Sequence, residues 1–349
     1  MFEHGGDWAG FREARGELPL DFSASVSPLG LPAGVREAVA EAMDLADRYP
    51  DPFCRALRRD VAAAWGVPAE RILCGNGAGD LIERLVRALP PGRAVVPAPS
   101  FSEYAAALRR AGWAVDEWRL APEEGFPLTE SFLSAVTEET GLVFLCEPNN
   151  PTGVTAPRDL LLALLDRCRD TGTVLAVDEC FNGLLPDPEA HTLLPFLDRG
   201  PLLVLNAFTK LYALAGLRLG FVCCADPVLL ERMRRCGQPW PVSVPAQAAG
   251  RAALRDRDYP RRLRALLDRA RPELAAGLAG LGADRITGEA NFLLFRHPLL
   301  RLAEELEAAG ILIRRCETFS GLGPGWYRTA VRTPEENGEL LEAMRRVIR

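Results

Sequence analysis

Lys210 is the residue best placed for chemistry. An apolar run, Leu202-Leu203-Val204-Leu205, ends in Asn206-Ala207-Phe208-Thr209 and delivers the lysine into a loop. Gly216-Leu217-Arg218-Leu219-Gly220-Phe221 follows, so a second cation, Arg218, lies eight positions on. Apolar walls and a neighbouring positive charge both disfavour an ammonium, leaving an amine able to attack a carbonyl. Taken alone, a loop lysine is usually just solvated. Two upstream signals set this one apart. Leu142-Val143-Phe144-Leu145-Cys146 reads as a buried parallel strand running into Glu147-Pro148-Asn149-Asn150-Pro151-Thr152-Gly153. The prolines and glycine fix an irregular turn that presents the Asn150 amide at the strand's carboxyl end. Thr173-Val174-Leu175-Ala176-Val177 is a second buried strand, ending in Asp178-Glu179. Open α/β sheets bind ligands at the carboxyl ends of their strands. Asp178 alone would read as a cap or turn residue, so the weight rests on the order Asn150, Asp178, Lys210, Arg218.

That set resembles the fold-type-I pyridoxal-phosphate (PLP) enzymes, the aspartate-aminotransferase superfamily. The resemblance implies that Lys210 holds PLP covalently and that Asp178 pairs with the protonated pyridine nitrogen. It makes these two the catalytic residues. Asn150 would donate to the ring's 3-oxygen, and Arg218 would clamp the cofactor phosphate as a fork. The cofactor carries the hard chemistry, while the protein orients and tunes it.

Gly75-Asn76-Gly77-Ala78-Gly79-Asp80 opens a helix after the short strand Arg71–Cys74. As a dinucleotide fingerprint it is weak, because the spacing is G-x-G-x-G. Free N–H groups at a helix start suit an anion, and by resemblance Gly77 and Ala78 hold the PLP phosphate. The plain alternative is a tight turn and nothing more. Phe101, in Pro99-Ser100-Phe101-Ser102-Glu103-Tyr104, stands where relatives stack an aromatic on the cofactor ring, whereas Tyr104 reads equally well as core. Tyr49, in the turn-rich Tyr49-Pro50-Asp51-Pro52, stands where relatives offer a tyrosine to the neighbouring subunit's cofactor phosphate. This implies a homodimer with shared active sites.

The elements that must position these residues alternate along the chain. Beyond an irregular N-terminal arm (1–30) and a helix over 35–46, strands are expected near 71–74, 94–97, 114–118, 142–146, 173–177, 202–206 and 219–224, with helices between them. This is an α/β fold with a mostly parallel sheet, forming a large PLP-binding domain over 31–230. From about 226 the pattern changes to helices near 226–235, 243–254 and 259–280. Strands near 291–295, 311–314 and 327–332 then alternate with helices near 299–309 and 335–347, a smaller α+β domain over 231–349. At 349 residues the chain can bury about three-quarters of its unfolded surface.

The net charge is −6 with the signs interspersed, so neither nucleic acid nor a disordered acidic partner segment is expected. Nine cysteines, no C-x-x-C pair and three histidines support neither a disulfide framework nor a metal site. Reduced, cytoplasmic thiols are the simplest expectation. Met1–Asp7 lacks the apolar core of a signal peptide, and no apolar run approaches membrane-spanning length.

Further landmarks narrow the resemblance. They are His4-Gly5-Gly6, Asp21–Gly30, Gln238–Ser243, Ile311–Cys316 and Trp326–Arg332. Together they resemble the threonine-phosphate decarboxylase branch of the superfamily, with the histidinol-phosphate aminotransferase branch as a close cousin. Phe181 stands where the aminotransferases usually carry a tyrosine whose hydroxyl reaches the ring's 3-oxygen. Ala207 stands where a phosphate-contacting serine is common, leaving Thr209, Arg218 and the glycine turn to that task. The substrate expected is a small phosphorylated amino acid with two anions. By resemblance Arg332 takes its carboxylate, while His4 and Arg314 take its phosphate, with Tyr49 of the partner subunit nearby; Asn150 is also expected to bind the substrate. Arg328 reads as a surface residue and stays outside this expected site. An aminotransferase acting on histidinol phosphate is the alternative.

Overall fold

The computed structural model describes residues 4–348. Strand β1 (Leu20–Asp21) belongs to the N-terminal arm. Seven strands then build the main sheet: β2 (Ile72–Gly75), β3 (Arg93–Ala98), β4 (Ala114–Arg119), β5 (Thr140–Cys146), β6 (Val174–Asp178), β7 (Leu202–Ala207) and β8 (Gly220–Cys224). Their order across the sheet is β2-β8-β7-β6-β5-β3-β4. Strands β5, β6 and β7 are apolar and buried almost throughout, because helices cover both faces of the sheet.

The register puts the chemistry on one rim. β5, β6 and β7 are parallel neighbours, with Cys146 beside Asp178 and Asp178 beside Leu205. The Asn150 turn, Asp178 and Lys210 therefore emerge side by side. The run Gly220–Cys224 departs from the expected parallel pattern, pairing antiparallel with both β2 and β7. Its first residue, Gly220, thus lies level with Gly75 and Ala207, the last residues of those strands. This reversal carries Arg218 to the same rim as Lys210 and Gly77. Gly220 must be a glycine here: a Cβ would come within 2.9 Å of the Gly77 carbonyl carbon and 3.0 Å of the Ala78 nitrogen.

The C-terminal part holds a sheet ordered β12-β13-β10-β9, made of β9 (Asp284–Thr287), β10 (Phe292–Arg296), β12 (Arg314–Arg315) and β13 (Trp326–Ala330). β9 was not expected from its sequence. The single strand expected near 311–314 is two. β11 (Ile311–Leu312) pairs in parallel with β1, and β12 pairs with β13. The N-terminal arm is thereby tied to the C-terminal part. It is also less irregular than its sequence suggested, since Trp8–Arg15 is a helix capped by Asp7, whose carboxylate accepts the Gly10 N–H at 3.0 Å.

Candidate active site

Where the rim of the main sheet meets the arm and the C-terminal sheet, a cavity of about 310 Å³ opens. Lys210, Asp178, Asn150, Thr209 and Arg218 line it, as do Ala78, Phe101, His4 and Arg314. Gly77 lies immediately behind Arg218 and has φ +80°. A Cβ at this glycine would stand 2.7 Å from the Arg218 Nη2. Arg218 itself adopts a left-handed conformation, φ +56°.

Asp178 is buried at the end of β6. Tyr104 Oη donates to its Oδ2 at 2.7 Å, and the Cys180 N–H donates to Oδ1 at 2.9 Å. Burial raises its pKa, opposed by the hydrogen bonds from Cys180 and Tyr104 and by the charge of Lys210. A buried carboxylate in this state favours a cationic partner. Tyr104 stacks on Phe144 with ring centroids 4.9 Å apart, so its hydroxyl is aimed by packing. Lys210 is partly open to the cavity. Burial first, then the charges of Arg328 and Arg218, lower its pKa to about 8. Its Nζ lies 5.5 Å from the Phe181 ring centroid, where no hydroxyl is offered.

Besides Gly77, two expected site residues do not line this cavity. Arg332 sits at the start of the helix Pro334–Ile348, donating to Glu336 Oε1 at 2.6 Å and to the Asp21 carbonyl at 3.2 Å. Its charge is taken up by that helix's acidic first turn. Tyr49 is exposed and stacks on Trp240 with centroids 4.1 Å apart.

Arg328 departs from its expected place. It is buried, not a surface residue, and it lines the cavity. Its Nη1 donates to Asn150 Oδ1 and its Nη2 to the Ser23 carbonyl at 3.1 Å. Burial pulls its pKa down to about 10, so it stays cationic at neutral pH. Arg314, also buried, donates to Thr318 Oγ1 at 3.3 Å and has its Cζ 5.5 Å from the Phe319 ring centroid. His4 Nε2 lies 3.0 Å from Glu103 Oε1, and both residues line the cavity. Glu103, which the sequence did not single out, and Tyr104, which read equally well as core, also line the cavity. One plain signal also went unused: Lys210 is the only lysine in the sequence.

Residues 19–344 match the sequence profile described as "Aminotransferase class I and II". The chain belongs to this family. Its cofactor is pyridoxal 5'-phosphate, and the chain is a PLP-dependent enzyme of the aminotransferase class I and II family. Among its relatives is the threonine-phosphate decarboxylase of Salmonella typhimurium, 37% identical over 94% of this chain and 91% of that protein. Another is histidinol-phosphate aminotransferase 2 of Ralstonia nicotianae, 34% identical over 93% of this chain and 87% of the relative. The solved histidinol-phosphate aminotransferase of Clostridium acetobutylicum shares the fold, with TM-score 0.88, 24% identity and coverage of 94% and 98% of the two chains.

The cavity fits this cofactor on chemical grounds. A buried carboxylate suits a protonated ring nitrogen, an amine of lowered pKa suits an aldehyde, and the glycine turn beside Arg218 suits a phosphate. All nine cysteines are free. Among the described residues no helix is long and apolar enough to cross a membrane, and no group of His, Cys, Asp or Glu is arranged to hold a metal.

Proposed function

We propose that the enzyme decarboxylates L-threonine O-3-phosphate to (R)-1-amino-2-propanol O-2-phosphate, a step toward cobalamin. The observation that carries this reading is the pair of buried arginines, Arg328 and Arg314, sharing one cavity with His4. Two fixed cations suit a substrate with two anions, a carboxylate and a phosphate monoester. Phe181 beside Lys210 and the 37% identity to the Salmonella decarboxylase support the same choice.

Bound PLP supplies an electron sink for the pair left on Cα when carbon dioxide departs. Asp178 would hold the proton of the ring nitrogen, with Tyr104 and Cys180 keeping its carboxylate in place. Thr209, Arg218 and the Gly77-Ala78 turn would hold the cofactor phosphate, and Phe101 would flank the ring. Arg328 would take the substrate carboxylate, in the place expected for Arg332. Arg314 and His4 would take the substrate phosphate. Anchors at both ends restrict rotation about the substrate's bonds, and that rotation decides which Cα bond breaks. Lys210 Nζ would then deliver a proton to Cα, and a pKa near 8 keeps both of its forms accessible at neutral pH.

Purified enzyme with PLP is expected to release carbon dioxide and aminopropanol phosphate from L-threonine O-3-phosphate without a keto acid. Rapid glutamate formation from histidinol phosphate and 2-oxoglutarate, with no carbon dioxide from threonine phosphate, would replace this reading with the aminotransferase one.

The exposed Tyr49–Trp240 stack supports a homodimer in which Tyr49 completes the partner's site. Co-expressed Tyr49→Phe and Lys210→Ala chains are expected to regain activity, since one site of each mixed dimer keeps both residues. Mixed dimers as inactive as their two inactive parents would refute shared sites.

A further inference from the structure

We infer that Arg84 is a positioning residue for the cofactor phosphate, acting through Asp80 and Asn76. The inference rests on reading the Gly77 turn as the phosphate cup. Arg84 lies in the helix Gly77–Ala88, is only 2% exposed, and ranks among the largest fully buried side chains. A buried guanidinium is costly unless its charge is met. Here its Nε donates to Asp80 Oδ1 at 2.9 Å, and its Nη2 lies 2.9 Å from Asp80 Oδ2. Asp80 Oδ2 in turn accepts the Asn76 N–H at 2.8 Å, one residue before Gly77.

This chain has two consequences for an anion in the cup. First, Asp80 fixes the turn from below by engaging an N–H that precedes the helix. The first-turn N–H groups beyond it have no partner within the helix. Second, Asp80 places a carboxylate in that same first turn, where its charge would repel a phosphate dianion. Arg84, itself buried, cancels that charge, so the compensation is screened less than for a fully exposed pair. Neighbouring glycines keep the arrangement tight. A Cβ on Gly75 would lie 2.8 Å from Asp80 Oδ2, and one on Gly237 would fall 2.0 Å from the Arg84 Cζ. Gly237 follows the helix Pro227–Arg235 and precedes Trp240, the residue stacked on Tyr49. The buried arginine is thus packed against the segment that carries Trp240.

The test compares PLP with pyridoxal, which has the same ring and aldehyde but no phosphate. Apoprotein is titrated with each, following the absorbance of the lysine adduct. Arg84→Met is expected to weaken PLP binding by about 10- to 100-fold, the size of one uncompensated charge at short range. Pyridoxal binding should change by less than about 3-fold on the same reasoning. Adding Asp80→Asn to Arg84→Met removes the uncompensated charge and should restore most of the preference for PLP. A parallel loss for both ligands, or an unchanged ratio, would overturn the inference and leave Arg84 as a packing residue. Should Arg84→Met not fold, Arg84→Gln keeps a donor beside Asp80 but removes the charge. A severalfold fall in the PLP-to-pyridoxal ratio is then expected, and an unchanged ratio overturns the inference. Wild-type protein without a preference for PLP would overturn the cup reading and this inference with it. No substrate is present, so either failure leaves the decarboxylase reading standing.

Discussion

Lys210→Ala protein is expected to lose at least ~10⁴-fold in turnover, since a proton-transferring group alone contributes roughly 10²–10⁴ and the role proposed for this residue also includes holding the cofactor. The sequence makes the accompanying test unusually clean. With one lysine in 349 residues, borohydride reduction of the holoenzyme should add a single cofactor mass, on the peptide containing Lys210. The chain's amino terminus is the only other primary amine, and peptide mapping separates the two. Absence of label on the Lys210 peptide in PLP-saturated protein would refute the assignment. The same residue predicts a pH dependence. Amine reagents attack the neutral form, and the pKa of Lys210 is lowered to about 8, mainly by burial. In apoprotein, labelling of this peptide should therefore rise with pH through a midpoint near 8. A midpoint near the ordinary lysine value of about 10.4 would mean that the pocket does not desolvate the amine.

Legibility followed local pattern. Lys210, Asp178 and Asn150 could be read because each follows an apolar run that can only be a buried strand, and parallel neighbours align their ends. The direction of β8 could not be read. Gly-Phe-Val-Cys-Cys has the same apolar pattern whichever way it runs, and only its pairing with both β2 and β7 fixes its sense. The helix Trp8–Arg15 was readable in principle, from Asp7 at its start and Gly16 at its end. Its short length and polar composition hid it. Arg328 was hidden for a deeper reason. Every residue of β13 is buried, so strand alternation gives no sign of which side chain faces a cavity. The polar surroundings of Arg328 come from Asn150 and Ser23, 178 and 305 positions away. The pairing of Arg332 was readable in the local sequence. Thr333-Pro334-Glu335-Glu336 is a helix start, and an arginine just before it meets the glutamate four residues on.

The contrast between those two arginines gives the second large effect. Arg328→Ala should impair threonine phosphate and free threonine alike, because both carry the carboxylate. Losing a buried, charge-paired anchor typically costs about 2–5 kcal/mol, or roughly 30- to several-thousand-fold in kcat/KM. Arg314→Ala should impair only the phosphorylated substrate, so the gap between the two substrates narrows. Arg332→Ala should leave the ratio between substrates unchanged and instead lower thermal stability, because it removes the tie between Glu336 of the last helix and the Asp21 carbonyl. The measurement is kcat/KM for both substrates in each variant, beside a melting curve. If Arg332→Ala abolished turnover of both substrates at unchanged stability while Arg328→Ala kept it, the carboxylate anchor would return to Arg332. The geometry argues against that outcome. Arg328 faces the cavity that holds Lys210 and Asp178, whereas Arg332 is turned toward its own helix. An arginine already engaged there would have to break its pair with Glu336 before it could bind an anion, and that cost would fall on every turnover.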